Sequence, residues 1–450
     1  MKDKEQCAVD PLTIGIVGIV VFIILIFMSM NIGLAMMIVG AVGYMLIVTP
    51  AAALAQLRTD PATIGSTYAL MVVPMFILMG NFAFQAGISS GIFDTANKWL
   101  NRLPAPLASA TIAASAGFGS ICGSLPATCA TMCTITLPEM RKHGYDDKLS
   151  TGSIAIGGTM GALIPPSTPL VIYAIMAEAP IGKLFIAAII PGLMVAGLAI
   201  GTAIILVTVN PKLARKGDPF TWKERLVSLK NLIPIVILFF IVLGGMFTGF
   251  FSVNQAAAIG AFSALIIMIV SIKQKKELTW AGFKTKFNDA AWTTIRTFGM
   301  TFLLIIGASI FGKFMTISGL TIALSDYLLS LDVSRYAIIA LMVLVYIFLG
   351  MIMDDLPMIM ITVPLFLPIV TGLGFDPVWF GIFVIFMMAI GAISPPVALN
   401  CFIIYGIAKD IKLTTIYKGI LPYMVTLAII VVLMTAFPQI ALFLPSLMLS

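Results

Sequence analysis

Gly161-Ala162-Leu163-Ile164-Pro165-Pro166-Ser167-Thr168-Pro169 interrupts the apolar run 149–177, and a second copy, Gly391-Ala392-Ile393-Ser394-Pro395-Pro396, interrupts the run 378–407. A helix started at residue 149 has risen about 22 Å by residue 163, part-way across a hydrocarbon core of about 30 Å. There the prolines remove backbone donors and leave upstream carbonyls without partners. In hydrocarbon each such group costs several kcal/mol unless something satisfies it. A hard cation such as Na+ does so together with Ser, Thr, Asn or Asp oxygens, while the N-terminal ends of half-helices attract an anion. One proline makes a kink; the same tandem break in two places predicts a site.

The rest of the chain supports a membrane setting. Of 450 residues 60% are hydrophobic and 10% charged, against about 25% charged in soluble domains. The apolar runs are continuous, whereas barrel strands alternate over about ten residues, so the spans are helices. In such a chain the net charge of +7 reports orientation and does not imply nucleic acid. Cys122, Cys129, Cys133 and Cys401 lie in apolar stretches and Cys7 in the polar leader 1–10, with no metal-type spacing. That leader carries mixed charges and runs into two consecutive apolar stretches, so it is read as uncleaved.

Residues 12–48 are too long for one span and are expected to turn near Ser29 to Asn31. Ten crossings follow: two within 12–48, then 63–86, 149–177, 184–209, 232–249, 253–272, 292–314, 378–407 and 420–437. The stretches 105–140 and 337–370 are each halved by a polar patch, leaving limbs short enough to form re-entrant hairpins. Loops on one side carry nineteen Lys and Arg, among them Lys98, Arg141 and the basic residues of 212–230, and loops on the other carry six. The richer side is cytoplasmic, which puts both termini outside.

The halves repeat each other. Gly87 and Asp94 recur as Gly319 and Asp326, Leu125-Pro126 as Leu356-Pro357, the two breaks as quoted, and Pro191 as Pro422. Each half holds an odd number of crossings, so the copies are inverted. The expectation is an all-α integral membrane protein of about ten transmembrane helices plus two re-entrant hairpins in two inverted-topology repeats. The first, 1–210, comprises scaffold helices 12–86, an interfacial arm 88–103, hairpin 105–140, broken helix 149–177 and helix 184–209. A cytoplasmic linker 211–231 follows. The second, 232–450, comprises scaffold 232–314, arm 318–331, hairpin 337–370, broken helix 378–407 and helix 420–437.

The first hairpin tip reads Ser120-Ile121-Cys122-Gly123-Ser124-Leu125-Pro126-Ala127-Thr128, and the second contains Met353-Asp354-Asp355-Leu356-Pro357. Two adjacent carboxylates near the membrane are costly unless paired, cation-bound or protonated. Arg296 sits a turn into a helix, where snorkelling competes with binding a substrate carboxylate. Lys313 is expected at the interface. His143, the single histidine, lies in the polar loop 141–148, away from any span.

Further segments are Pro74-Met75-Phe76-Ile77-Leu78-Met79-Gly80-Asn81, Pro138-Glu139-Met140 with Gly144-Tyr145, Pro364 to Pro368, and Gly374-Phe375-Asp376-Pro377-Val378-Trp379-Phe380-Gly381. With the first tip and Ile164-Pro165-Pro166-Ser167, in this order, the chain resembles the large membrane subunit of tripartite ATP-independent periplasmic (TRAP) transporters. The resemblance implies a bacterial inner-membrane, sodium-coupled symporter of organic acids such as C4-dicarboxylates or sialic acid, working as an elevator. It implies two partners, a small four-helix membrane subunit and a periplasmic substrate-binding protein, and neither enzymatic activity nor an organic cofactor. It places one sodium site around Ser120, Gly123, Ser124 and Thr128 facing Pro165 and Pro166. A second falls around Asp354, Asp355 and Thr362 facing Ser394, Pro396 and Asn400, with substrate near Ser167 and Thr168. Cys122 and Leu125 stand where the family usually has serines, Ala398 where it usually has glycine, and Gln255 where an acidic residue is common.

Three other readings compete. A stand-alone ion-coupled anion symporter or antiporter needs no binding protein. An intramembrane enzyme could use Asp354-Asp355 to hold Mg2+ or Tyr145-Asp146 as half of a protease, but each lacks its second motif. A passive scaffold or channel subunit has no use for two broken helices.

Overall fold

A computed structural model describes residues 10–215, 217, 219–274, 279–331 and 333–447. The leader with Cys7, Lys2 and Lys4, the basic residues Lys216, Lys275 and Lys276, and the terminal Ser450 lie outside them. All regular structure among the described residues is helical. In the first half, α1 (Pro11–Phe27), α2 (Ile32–Ile47), α3 (Pro50–Gly65) and α4 (Val72–Gln85) lead to α5 (Ile88–Leu100). The hairpin limbs α6 (Pro106–Cys122) and α7 (Leu125–Lys142) precede the broken pair α8 (Asp147–Leu163) and α9 (Thr168–Met176), and α10 (Ile181–Val209) closes the half.

The second half starts with α11 (Trp222–Ser228), α12 (Ile233–Phe239) and α13 (Gly245–Phe247), which form one helical run Trp222–Phe247. Then come α14 (Val253–Gln274), α15 (Trp280–Ile317) and α16 (Leu320–Ser330). Hairpin limbs α17 (Arg335–Gly350) and α18 (Asp355–Gly372), the pair α19 (Pro377–Ile393) and α20 (Leu399–Ile407), α21 (Leu413–Ala436) and α22 (Gln439–Ser446) complete the chain.

Seven helical runs among the described residues are long and apolar enough to cross a membrane, and the bent pair α8 with α9 makes an eighth. One of the seven, α18, is a hairpin limb. The remaining crossings of a ten-span arrangement fall to α1, α2 and α19 with α20, whose apolar helices are individually shorter than 18 residues.

Local signals set the boundaries. The turn expected near Ser29 to Asn31 lies between α1 and α2, with Ser29 at φ +61° and Asn31 Oδ1 capping Leu34 N–H at 3.3 Å. The helices α5 and α16 both follow a left-handed glycine, Gly87 at φ 73° and Gly319 at φ 72°, a conformation that costs a residue with a Cβ. Pro191 lies inside α10 and Pro422 inside α21. Gly119 on α6 touches the Gly161 backbone, and Gly350 on α17 touches Gly391 in the same way.

One boundary differs from the sequence expectation. The span read as 63–86 begins at Tyr68, because Thr49 and Pro50 start a separate helix that carries the chain to Gly65. Within the linker 211–231, α11 packs against the arm helix α5. Arg225 is buried, donates from Nη2 to Asn101 Oδ1 at 2.8 Å and lies over the Trp222 ring, while Trp99 Nε1 donates to Arg225 O at 3.1 Å.

Lys313, expected at the interface, reaches Asp60 of α3 at 2.6 Å, and Ser309 Oγ donates to the same carboxylate at 3.2 Å. Asp60 is 5% exposed. Lys313→Ala strands that carboxylate. Because the lysine itself is half exposed, the expected cost is about 2 kcal/mol, between the surface and buried limits. The check is a melting curve in detergent, with an unshifted midpoint as the contrary result.

The centre of the fold is formed by α8 and α19, buried along nearly their whole length. Each broken helix then crosses to the other half: α9 packs on α18 and α19, and α20 on α7 and α8. Tyr173 of α9 donates to Pro377 O at 2.5 Å, and Asn400 of α20 donates from Nδ2 to Ala155 O at 2.9 Å. Around this core, α15 packs along α2 and α4, and α14 along α4.

Candidate transport site

Four helix ends converge at the first hairpin tip. The α6 helix stops at Gly123, at φ +63°, where a Cβ would lie 3.0 Å from Pro166 O. Gly123 O accepts Thr168 N–H at 3.1 Å, so the tip is latched to the start of α9. Between Leu163 and Thr168 the chain bends by 44°. The C-terminal ends of α6 and α8, rich in unpaired carbonyls, thus meet the N-terminal ends of α7 and α9. The first pair favours a cation and the second an anion.

Side chains at this junction are left open. Ser124 and Ser167 occupy the N-cap positions of α7 and α9, yet neither side chain caps its helix. Ser167 Oγ and Thr168 Oγ1 are buried without a hydrogen-bond partner, and Thr128 Oγ1 lies near the Cys122 thiol and against Gly161. A buried hydroxyl left unmet costs about 1–3 kcal/mol, so such a group is an unusual thing to retain. Ser120 differs, because its hydroxyl donates to Gly117 O at 2.8 Å. Pro165 and Pro166 are buried and joined by a cis peptide; Pro395 and Pro396 are also joined by a cis peptide, but Pro395 is half-buried and Pro396 is exposed.

The residues expected around the second tip are not gathered in the same way. Asp354 caps α18, its Oδ1 accepting Asp355 N–H at 2.8 Å, and Asp355 is 8% exposed. Thr362 accepts from Tyr346 at 2.8 Å and donates to Met358 O, and Ser394 donates to Ile390 O. Pro396 O accepts from Tyr417 at 2.5 Å. Asn400 lies against α7 and α8 of the first half, with Oδ1 unpartnered. Ala398 takes φ +42°, the region that favours glycine and the position where the resemblance places glycine.

Asp354 and Asp355 instead line the same cavity, of about 540 Å3, as Gly123, Ser124 and Thr168. Its far wall is Asn31, Asn81 and the ladder Thr293, Thr297 and Thr301 on α15. Sequence reasoning missed this wall. Its signal was present, since threonines at i, i+4 and i+8 share one helix face, and Asn81 ends the quoted segment 74–81. Arg296 is exposed and outside the lining, which contains no Lys, Arg or His.

Residues 19–440 match the family described as "Tripartite ATP-independent periplasmic transporter, DctM component". The chain belongs to the DctM family. It is similar to the isethionate TRAP transporter permease DctMQ of Oleidesulfovibrio alaskensis, 33% identical over 386 residues, covering 84% of this chain and 58% of that protein. The chain thus spans little more than half of that relative. It is 30% identical to the sialic acid TRAP large permease SiaM of Vibrio cholerae over 388 residues, with 85% of this chain and 87% of the other covered. To the C4-dicarboxylate TRAP large permease DctM of Pseudomonas aeruginosa it is 30% identical, with 84% and 86% covered.

Among solved structures, the YdaH transporter of Alcanivorax borkumensis superimposes with a TM-score of 0.58 at 17% identity, covering 87% of this chain and 90% of that one. That likeness concerns the fold alone. As a DctM chain the protein is a multi-pass TRAP permease, a family of transporters and not of enzymes, so the intramembrane-enzyme reading is set aside.

Proposed function

We propose that this DctM-family permease couples inward movement of sodium to uptake of an organic acid. The acid is handed over by a periplasmic binding protein, and a small four-helix membrane subunit completes the complex. The reading is carried by one observation: Ser167 and Thr168 hydroxyls stay buried and unpartnered where carbonyl-rich and amide-rich helix ends meet. Sodium suits the carbonyl side of that junction. The substrate carboxylate suits the amide side, in a cavity whose lining offers no cationic side chain.

The same arrangement supports an elevator in which α6–α9 and α17–α20 travel past α2, α4, α14 and α15, since residues of α6, α7, α9 and α18 line one side of the cavity and residues of α2, α4 and α15 the other. On this reading the inverted repeats are 1–210 and 232–450, joined at 211–231, and both termini face the periplasm. A tag at Ser450 should react with impermeant reagents in intact spheroplasts; protection would reverse the orientation.

Proteoliposomes holding the permease and small subunit test the coupling. Labelled acid should accumulate under an inward sodium gradient only when receptor is present. Equal uptake under a potassium gradient removes sodium coupling, and equal uptake without receptor favours the stand-alone symporter. Thr168→Val and Ser124→Ala should each weaken the apparent sodium or substrate affinity about tenfold, the worth of one charge-assisted hydrogen bond. Unchanged titrations in both variants would remove the first-tip assignment.

A further inference from the structure

A second large cavity, about 910 Å3, lies on the other side of the second hairpin, between α17 and α21. Its wall includes Tyr336, Val343 and Ile347 of α17, Val425 and Val432 of α21, and Ile390 as part of α19. Of all its lining residues only Tyr336 and Thr435 carry a polar side chain. Water needs two to four polar partners to occupy such a space, whereas an acyl chain makes dispersion contacts along an apolar wall of this kind. The α17 wall runs from Tyr336 to Ile347, about 17 Å of helix, close to one leaflet of a hydrocarbon core about 30 Å thick.

One charged group marks the end of that wall. Arg335 begins α17, donates from Nη2 to Tyr336 Oη at 3.2 Å, and lies 5.1 Å from the Tyr336 ring centre and 5.2 Å from that of Phe375. It is exposed and makes no ion pair among the described residues. The carboxylate of Asp376, next to Phe375, accepts Val378 N–H at 2.6 Å and stays with its own helix. An arginine held flat by aromatic rings keeps the rest of its donor fork free, and that fork matches a phosphate diester. Aromatic side chains beside it belong at headgroup depth.

We propose that the groove between α17 and α21 holds one glycerophospholipid, its phosphate on Arg335 and an acyl chain lying along α17 toward Ile347 and Ile390. The lipid fills the seam between the outer limb of the second hairpin and α21. This does not depend on sodium coupling, so the two readings fail separately.

Native mass spectrometry of the purified permease, titrated with phosphatidylglycerol and separately with diacylglycerol of the same chains, tests the assignment. One phosphatidylglycerol should be retained and diacylglycerol should be lost. Arg335→Gln should weaken retention about tenfold. Ala428→Trp, which places an indole in the groove from an exposed wall position, should abolish retention while leaving the melting midpoint in lipid-free detergent unchanged. Wild-type retention in both variants overturns the proposal, as does equal retention of diacylglycerol. Should the small membrane subunit expel the lipid, and Ala428→Trp block that subunit, the groove is a protein interface and the lipid assignment is wrong.

Discussion

Gly161→Ala is expected to abolish most transport while leaving the helices folded. A Cβ at Gly161 would lie 2.3 Å from Ser124 O and 2.6 Å from Thr128 Oγ1. The nearest atom is a backbone carbonyl that already accepts Thr128 N–H at 3.1 Å, so it cannot rotate away as a side chain would. Relief requires moving the first hairpin tip, which stretches the Thr168 N–H to Gly123 O latch and separates the four helix ends. Overpacking of this kind costs about 1–3 kcal/mol, spent where the cation and substrate ends meet. Uptake should fall at least tenfold (about 1.4 kcal/mol) and sodium activation should weaken with it. Gly312→Ala on α15 is the matched control, since a Cβ there meets nothing within 4 Å and alanine favours the helix. Normal sodium-dependent uptake by Gly161→Ala would show that the junction has no part in transport.

Asp355→Asn should produce the second large loss, with the opposite sign on stability. Asp355 is buried at the first turn of α18, lines the cavity and makes no ion pair among the described residues. Burying a charge without a partner is unfavourable, and the helix N-terminus returns only part of the cost, about 0.3–1 kcal/mol. Neutralisation should therefore leave the melting midpoint equal or higher while sodium-driven uptake drops at least tenfold (about 1.4 kcal/mol). Asp354→Asn should be milder, because asparagine caps a helix about as well as aspartate and Asp354 contributes the cap at 2.8 Å. Unchanged sodium activation in Asp355→Asn would remove the carboxylate from the coupling site. A lowered midpoint with it would mean that the charge is structural.

The two experiments probe places of unequal legibility. The first tip and its break were readable because each is a local event: tandem prolines stop α8, Gly123 ends α6, and small residues allow α6, α7 and α8 to touch. The second site was less readable. Thr362, Ser394 and Asn400 are the right residue types at repeat-related positions, but Thr362 bonds to Tyr346 and Asn400 to Ala155. A hydroxyl or amide that finds a nearby partner is unavailable to a ligand in that pose, and nothing in residue order shows which partner it finds. The Asp60 to Lys313 pair was illegible for the same reason, since 253 positions separate them.

Residue order by itself determined the membrane setting, the two hairpins, the two broken helices and their repetition. Each follows from hydrophobic run length, from proline's missing donor or from glycine's freedom, properties that act within a few residues of chain. Tertiary structure alone decided that α9 and α20 exchange sides, and that Asp354 and Asp355 share a cavity with Ser124 and Thr168. It alone supplied the Asn31, Asn81 and threonine wall opposite them. Those placements depend on which helix faces come within contact distance, and packing between distant segments is set by the shape of the whole bundle.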